Sequence, residues 1–272
     1  MTTIDSIRSA AWRLGRKIYC WARMDIENKP ETNGEYWLLQ QVINRLDNGA
    51  VLLDVGANKG DWTAEAIQLL RQRQVVASLH AFEPCSGTRA GLLGRLKGDQ
   101  AVVVHPAAVS SEPGSAVLYS NGDGVGTNSL SGVSGSGQET VPVTTLDIFA
   151  DKHGIKSIAM VKVDVEGFDH FVLVGASQLL GRGAIEVVQF EYNWRWLINR
   201  NSLREVFNLI DSWPYRLGKL VPGGIQFFSD WHFELDRFFE GNYVLVRRGS
   251  PIENLGQRFE FDVSNVLVAG RG

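Results

Sequence analysis

The stretch Val51-Leu52-Leu53-Asp54-Val55-Gly56-Ala57-Asn58-Lys59-Gly60 decides how the rest of the chain is read. Its first half is a short apolar run of the kind that forms a strand buried on both faces, and its second half is a tight turn with two glycines. Residues 61–73 then follow a helical pattern, so 51–73 is a strand, a turn and a helix. The alternation continues downstream. Strands are expected at 75–82, 101–104, 160–165 and 186–190, with helices at 87–97 and near 168–180. Nearly all-apolar strands separated by helices mark a parallel sheet covered on both faces. A helix at 202–212 precedes β-rich sequence at 216–221, 225–228 and 243–247, which suits an antiparallel edge. The expected architecture is therefore α/β, a mostly parallel seven-stranded sheet with helices on both faces and an antiparallel C-terminal edge.

Composition narrows the functional classes. The 272 residues are 44% hydrophobic and 21% charged, which excludes a disordered or collagen-like chain. The formal charge of −3 provides no global pull toward nucleic acid. Cys20 and Cys85 make neither a disulfide framework nor a C-x-x-C pair, which points to a reduced, cytoplasmic setting. No stretch approaches the ~20 apolar residues of a transmembrane helix. At the N-terminus Ile4, Ile7, Ala11, Leu14, Ile18 and Trp21 fall on one helical stripe, with Arg8, Arg13, Arg16, Lys17 and Arg23 around it and no acid between residues 8 and 23. Such a helix is expected to pack on its own domain or on a dimer mate; the alternative is a helix lying on an anionic membrane surface. The chain divides into an N-terminal helical segment (1–46), the α/β domain (47–248) and a tail (249–272) that packs on or extends it.

Ligands of open parallel sheets bind at the carboxyl ends of the strands. Those ends carry Asp54, Glu83, Asp164, Glu166 and Glu191. The turn with Gly56, Asn58 and Gly60 departs from the G-x-G-x-x-G spacing of nicotinamide sites, and Asp54 stands two residues before the first glycine. A carboxylate there repels a pyrophosphate but suits a ligand with an ammonium and a sulfonium, the description of S-adenosylmethionine. Glu83, 23 residues beyond Gly60, is placed to accept both ribose hydroxyls, and Ala107, Ala108 and Val109 are small and apolar enough to border an adenine. In Val161-Lys162-Val163-Asp164-Val165-Glu166-Gly167 a period of two puts Lys162, Asp164 and Glu166 on one face. Lys162 and Asp164 neutralise each other in this reading and leave Glu166 free at the rim. The connection at 110–143 is far longer than usual. Its residues 120–138 hold six Gly and five Ser, the composition of a surface insertion or of a flap that brings Asn128 and Ser129 to a bound acceptor.

The runs Asp54-Val-Gly-Ala-Asn-Lys-Gly60, Phe82-Glu83-Pro84 and Lys162-Val-Asp-Val-Glu-Gly167, with Gly175-Ala176 downstream, resemble the FkbM family of methyltransferases. Asn33-Gly34-Glu35, Asn128-Ser129-Leu130 and Val143-Thr-Thr-Leu-Asp147 are similar to it too, and the resemblance extends over about 33–248. It implies a class I Rossmann-like fold, S-adenosylmethionine as methyl donor and, usually, O-methylation of a hydroxyl on a sugar, glycan or natural product.

An alcohol is a weak nucleophile, so such chemistry needs a general base. Glu166 and Glu191 are the candidates, with Asp164 nearer the donor and His232 as runner-up. Tyr192, Asn193 and Trp194, following the fifth core strand, are placed to touch the acceptor. Asp164, Glu166 and Glu191 holding Mg²⁺ is an alternative; the favoured reading has no metal. His80, His105, His153 and His170 show no ligand-like spacing and receive no role. Two other functional classes compete. A nicotinamide-dependent oxidoreductase is disfavoured by the loop spacing, and a non-catalytic nucleoside-binding or docking protein would have lost the glycine turn or the rim carboxylates.

Overall fold

The structure, a computed structural model, describes residues 3–25, 29–97, 99–120, 122, 129–130 and 137–270. Its centre is a ten-stranded sheet. The parallel part is β1 (Ala50–Val55), β2 (Ala77–Phe82), β3 (Val102–His105), β7 (Ile158–Val163) and β8 (Ile185–Tyr192), in the order β3-β2-β1-β7-β8; β4 (Ala108–Val109), β5 (Gly114–Ser120) and β6 (Gly137–Thr144) lie apart from it. The strand order reverses at β1, the position where such sheets open a ligand crevice.

Period-two alternation sorts each strand between two cores. Leu53 and Val55 of β1, with Val161 and Val163 of β7, face helices α5 (Leu146–His153), α6 (Asp169–Val174) and α7 (Ser177–Gly181). Leu52 and Met160 face the opposite side, where α2 (Glu35–Ile43) and α3 (Asp61–Arg73) contribute Leu38, Leu39, Trp62 and Ala66. Lys162 shares the parity of Met160 and Asp54 that of Leu52. Both charges therefore enter the α2–α3 side, fully or nearly buried.

The C-terminal strands continue the sheet. β9 (Tyr215–Val221), β10 (Gly224–Phe228) and β11 (Gly241–Arg247) add antiparallel pairings, β11 against β8 and between β8 and β9. The tail adds β12 (Gly256–Phe261), parallel to β10, and β13 (Leu267–Ala269). The sheet thus has ten strands among the described residues rather than the expected seven: all eight spans read as strands join it, and the tail adds two more, with Phe259 and Phe261 packed on the first core.

Three further findings correct or extend the expectations. The helix near 168–180 is two helices, α6 and α7, broken at Gly175, where a Cβ would lie 2.1 Å from the Ser110 carbonyl oxygen. The long connection contains β5 (Gly114–Ser120) and β6 (Gly137–Thr144), which with β4 (Ala108–Val109) make a separate three-stranded sheet. Helix α1 (Thr3–Ala22) forms, but its apolar stripe does not pack on the domain: Ile7 is 64% exposed and Trp21 79%. The remaining helices α4 (Ser86–Arg95), α8 (Arg195–Ile198) and α9 (Leu203–Ile210) cover connections between strands.

Candidate active site

The turn after β1 is shaped by its backbone. Gly56 has φ +85°, and a Cβ there would sit 2.0 Å from the Asp164 carbonyl oxygen, so only glycine lets β1 and the end of β7 approach. Gly56 and Ala57 donate their N–H groups to the Phe82 carbonyl, which ties the turn to β2. Asn58 follows at φ +48°, a conformation Asn tolerates better than most residues. Gly60 caps α3 from behind the turn, packed on Leu92.

A cleft opens at this point. It gathers nine predicted site residues: Gly56, Asn58, Glu83, Ala107, Ala108, Val109, Ser129, Asp164 and Glu166. Leu118, Leu130 and Phe168 complete its apolar wall. Glu83 is held by two backbone donors, the N–H of Asn58 at 2.9 Å and that of Cys85 at 2.9 Å. Burial outweighs those bonds and raises its carboxyl to about 7. The Asn58 side-chain oxygen is buried in the cleft wall, with no hydrogen-bond partner among the described residues.

Asp54 lies behind the cleft rather than in it. It is fully buried, accepts the Thr63 hydroxyl at 2.6 Å, and has the Lys162 ammonium 3.9 Å away. Burial raises its pKa, against the pull of Lys162 and Thr63. Burial alone would favour neutral Lys162, but Asp164, Asp54 and Glu35 surround it and hold its pKa above the ordinary value. Lys162 reaches Asp164 at 3.1 Å, the expected pair. Glu35 of α2, bonded to the Gln189 amide, closes this buried network, and burial lifts its carboxyl to about 7.

Glu166 departs from the sequence expectation in two ways. Strand β7 ends at Val163, so the period of two does not carry to residue 166, which sits in a turn at φ +55°. Nor is its carboxylate free: Arg195 Nη1 lies 2.7 Å from Oε2. Burial still raises its pKa to about 7, with Asp164 and Glu240 adding to the rise and Arg195 opposing it. The Ser129 hydroxyl donates to the Glu166 carbonyl at 3.0 Å, so part of the long connection returns to this turn. Asn128 lies outside the described residues.

The other acceptor-side candidates fall elsewhere. Glu191 is buried behind the cleft with the Asn193 amide donating to it at 2.6 Å; burial, then Asp164 and Glu166, push its pKa well up. Tyr192 is a core residue, 1% exposed and donating to Asp236 at 2.8 Å, so the expectation that it contacts an acceptor is not met. Asn193 is likewise buried, its side chain holding Glu191 and the Arg195 N–H. Trp194 is half-exposed, with the Arg195 guanidinium 5.0 Å from its ring, but it does not line the cleft. His232 is stacked between Phe233 and Phe261, away from the cleft, a packing histidine. Among the described residues no group of three or more His, Cys, Asp and Glu side chains is arranged to hold a metal ion.

Sequence reasoning missed Arg195 and Asp169. The latter is buried beside the Glu166 turn, accepts the Gly167 N–H at 3.2 Å, and has its pKa raised well up by burial. No periodicity signals either residue. His80 and His105, given no role, touch at 3.0 Å and cluster with Phe149 and His153 on the β2–β3 edge.

Residues 54–217 match the methyltransferase FkbM domain, more than half of the chain, and the chain belongs to this family. Solved structures with a similar overall shape include the methyltransferase FkbM from Methylobacillus flagellatus, at 13% identity and TM-score 0.47. That match covers 74% of this chain but only 44% of the M. flagellatus protein, so the chain spans less than half of that relative. An rRNA methylase from Streptococcus thermophilus aligns at 11% identity and TM-score 0.42, over 82% and 98% of the two chains. The precorrin-6y C5,15-methyltransferase from Geobacter metallireducens aligns at 10% and 0.39, over 78% and 88%. No curated protein sequence matches the chain significantly. Among the described residues no helix is long and apolar enough to cross a membrane.

Proposed function

We propose that the chain is an O-methyltransferase whose acceptor is a hydroxyl on a small molecule or glycan, with Glu166 as general base. The observation that carries this is the Glu166 carboxylate in the cleft wall, partly desolvated and beside Asp164, at a pKa of about 7. A base poised there is half ionised near neutrality and strong enough to take a hydroxyl proton as the oxygen is alkylated. Arg195 fixes its direction and keeps a share of it ionised.

The cleft residues fit S-adenosylmethionine. Glu83 retains lone pairs for two ribose hydroxyls beyond its backbone bonds. The Asn58 oxygen is an acceptor still to be satisfied. Ala108 and Val109 offer a small apolar wall to a purine. With Glu83, Asp164 and Glu166 around it, the cleft favours a cationic ligand. When bound, S-adenosylmethionine supplies a methyl group activated by a sulfonium. The protein's task is then to align an acceptor oxygen and remove its proton.

The test is incubation of the intact chain with methyl-labelled S-adenosylmethionine and separate panels of glycans, polyhydroxylated small molecules and RNA. The expected result is an acid-stable, base-stable methyl ether on a hydroxyl acceptor. Label appearing on RNA bases would overturn the acceptor class, and a chain that binds no S-adenosylhomocysteine by calorimetry would overturn the donor site.

A further inference from the structure

Helix α1 turns its apolar side away from the protein. At ~100° per residue, Ile4, Ile7, Ala11, Leu14, Ile18 and Trp21 share one side, and all of them are exposed. Between residues 4 and 22 only Ser9 and Cys20 are half-buried, and both fall on the opposite side. The contacts that seat the helix come from that polar flank too. The Tyr19 hydroxyl donates to Glu234 at 2.6 Å, the Arg16 guanidinium stands 4.7 Å over the Phe239 ring, and Arg23, just past the helix, pairs with Glu234 at 3.3 Å. An amphipathic helix that docks by its polar flank and presents its apolar side to the surroundings is not completing its own core.

Charge decides what can cover that side. Arg8 and Lys17 stand at its two borders, Arg13 and Arg16 lie on the polar arc, and no acid occurs between residues 8 and 23. A second copy meeting the same face would bring cations together in either orientation. In a parallel pair the Arg8 border of one helix lies along the Lys17 border of the other, and in an antiparallel pair each border lies along its own copy. Either way basic borders meet, with no acid between residues 8 and 23 to neutralise them. A layer with anionic headgroups and acyl chains answers both features at once: the apolar side enters the acyl boundary, and border cations reach headgroup phosphates. We propose that α1 docks this protein reversibly on an anionic membrane surface.

The seat of the helix is near the cleft's end of the sheet. Glu234 and Phe239 lie in the segment that leads into β11, whose first residue Gly241 pairs with Tyr192 at the carboxyl end of β8. Glu240 of this segment is close enough to act on the charge of Glu166.

The experiment is flotation of the full chain with vesicles of phosphatidylcholine alone or with about a third phosphatidylglycerol. Binding is expected to the anionic vesicles, to weaken as salt is raised, and to be small on neutral vesicles. The double variant Ile7→Glu/Ile18→Glu should lower partitioning about tenfold or more. Arg8→Glu/Lys17→Glu should remove the preference for anionic vesicles. Both alter exposed side chains, so melting temperature and S-adenosylhomocysteine affinity should stay at wild-type values. No vesicle binding by the wild-type chain would overturn the proposal. So would a wild-type dimer in sedimentation that Ile7→Glu/Ile18→Glu dissolves without any vesicle binding, which would make a second copy the occupant. Neither readout needs methyl transfer, so failure of the proposed activity leaves this test intact.

Discussion

The two halves of the cleft are built by different means. On the β1–β2 side the geometry is made of backbone: Gly56 at positive φ, N–H groups returned to the Phe82 carbonyl, and a Glu83 carboxylate fixed by two more backbone donors. On the β7–β8 side it is made of side chains, with Glu166 held by Arg195 across the sheet end and Ser129 reaching in from a long connection. A wall made of backbone suits a ligand whose shape never varies, whereas a wall of ion-paired side chains can be re-cut for new acceptors without disturbing the fold. The difference predicts that substitutions on the first side damage stability and donor binding together, while those on the second damage turnover alone.

The sharpest test falls on the side-chain wall. Glu166→Gln should lower turnover by ~10²–10⁴-fold with melting temperature and donor affinity nearly unchanged, the signature of a lost general base. Glu191→Gln, one layer behind, should cost less turnover, and the reverse order would move the base to Glu191. The wild-type kcat should rise with pH through about 7, since the base works ionised and burial holds Glu166 at about that value. Arg195 favours the ionised form, so Arg195→Met should move this rise to higher pH. A pH profile unmoved by Arg195→Met would break the link between the pair and the chemistry.

The backbone wall is tested by Gly56→Ala. The added Cβ meets the Asp164 carbonyl oxygen at 2.0 Å and the positive φ is itself strained, so a loss of about 2–5 kcal/mol of stability is expected. Gly223→Ala is the control, with a similar positive φ of +72° and open space around its Cβ. It should cost only about 1 kcal/mol. Thermal or urea unfolding of the two variants reads the difference. Equal losses would mean that strain, not the contact of β1 with the β7 end, makes Gly56 necessary.

A smaller effect is expected from Glu83→Gln, which keeps one side-chain oxygen for the turn while removing the charge. Affinity for S-adenosylhomocysteine should fall by ~1–2 kcal/mol in calorimetry, the difference between charged and neutral acceptors of ribose hydroxyls. An unchanged affinity would place the ribose elsewhere.

This contrast also explains what could be read from the residues alone. The β1–β2 wall of the cleft is legible because Asp54 to Gly60 form one run and glycine spacing reports backbone shape directly. The β7–β8 wall is not. The period of two failed at Glu166 because β7 stops at Val163 and a turn intervenes. Tyr192 was expected at the cleft because β8 was expected to end near 190; the strand runs two residues further and carries that ring into the core. Arg195 meets Glu166 only after β8 has been laid beside β7, a pairing no local pattern announces. The apolar stripe of α1 was read correctly as a stripe, but periodicity does not tell which neighbour it faces.

The histidines on the β2–β3 edge provide the mildest test, and it too separates the two sides. Burial lowers the pKa of His80, with His153 adding to it, and lowers His105 to about 4, with His80, His153 and Lys152 contributing. In the unfolded chain each titrates near the ordinary value of about 6.5. Between pH 6.5 and about 4 the unfolded state therefore holds more protons than the folded one, so stability is full above pH 6.5 and falls as the pH drops through this window. Both rings are only half-buried, and solvent screening reduces the expected loss to about 1 kcal/mol in total. His105→Phe should preserve the stacking on Phe82, remove one titrating ring and flatten the slope of stability against pH between 6.5 and 4. Hydrogen exchange at pH 5 and pH 7 locates the effect: protection of β2 and β3 amides should fall with acid before that of β8 and β11. The carboxylates of the β7–β8 side, raised by burial, bind protons more tightly in the folded state and are stabilised rather than loosened by acid. If acid loosens β8 first, the histidine edge does not govern acid stability.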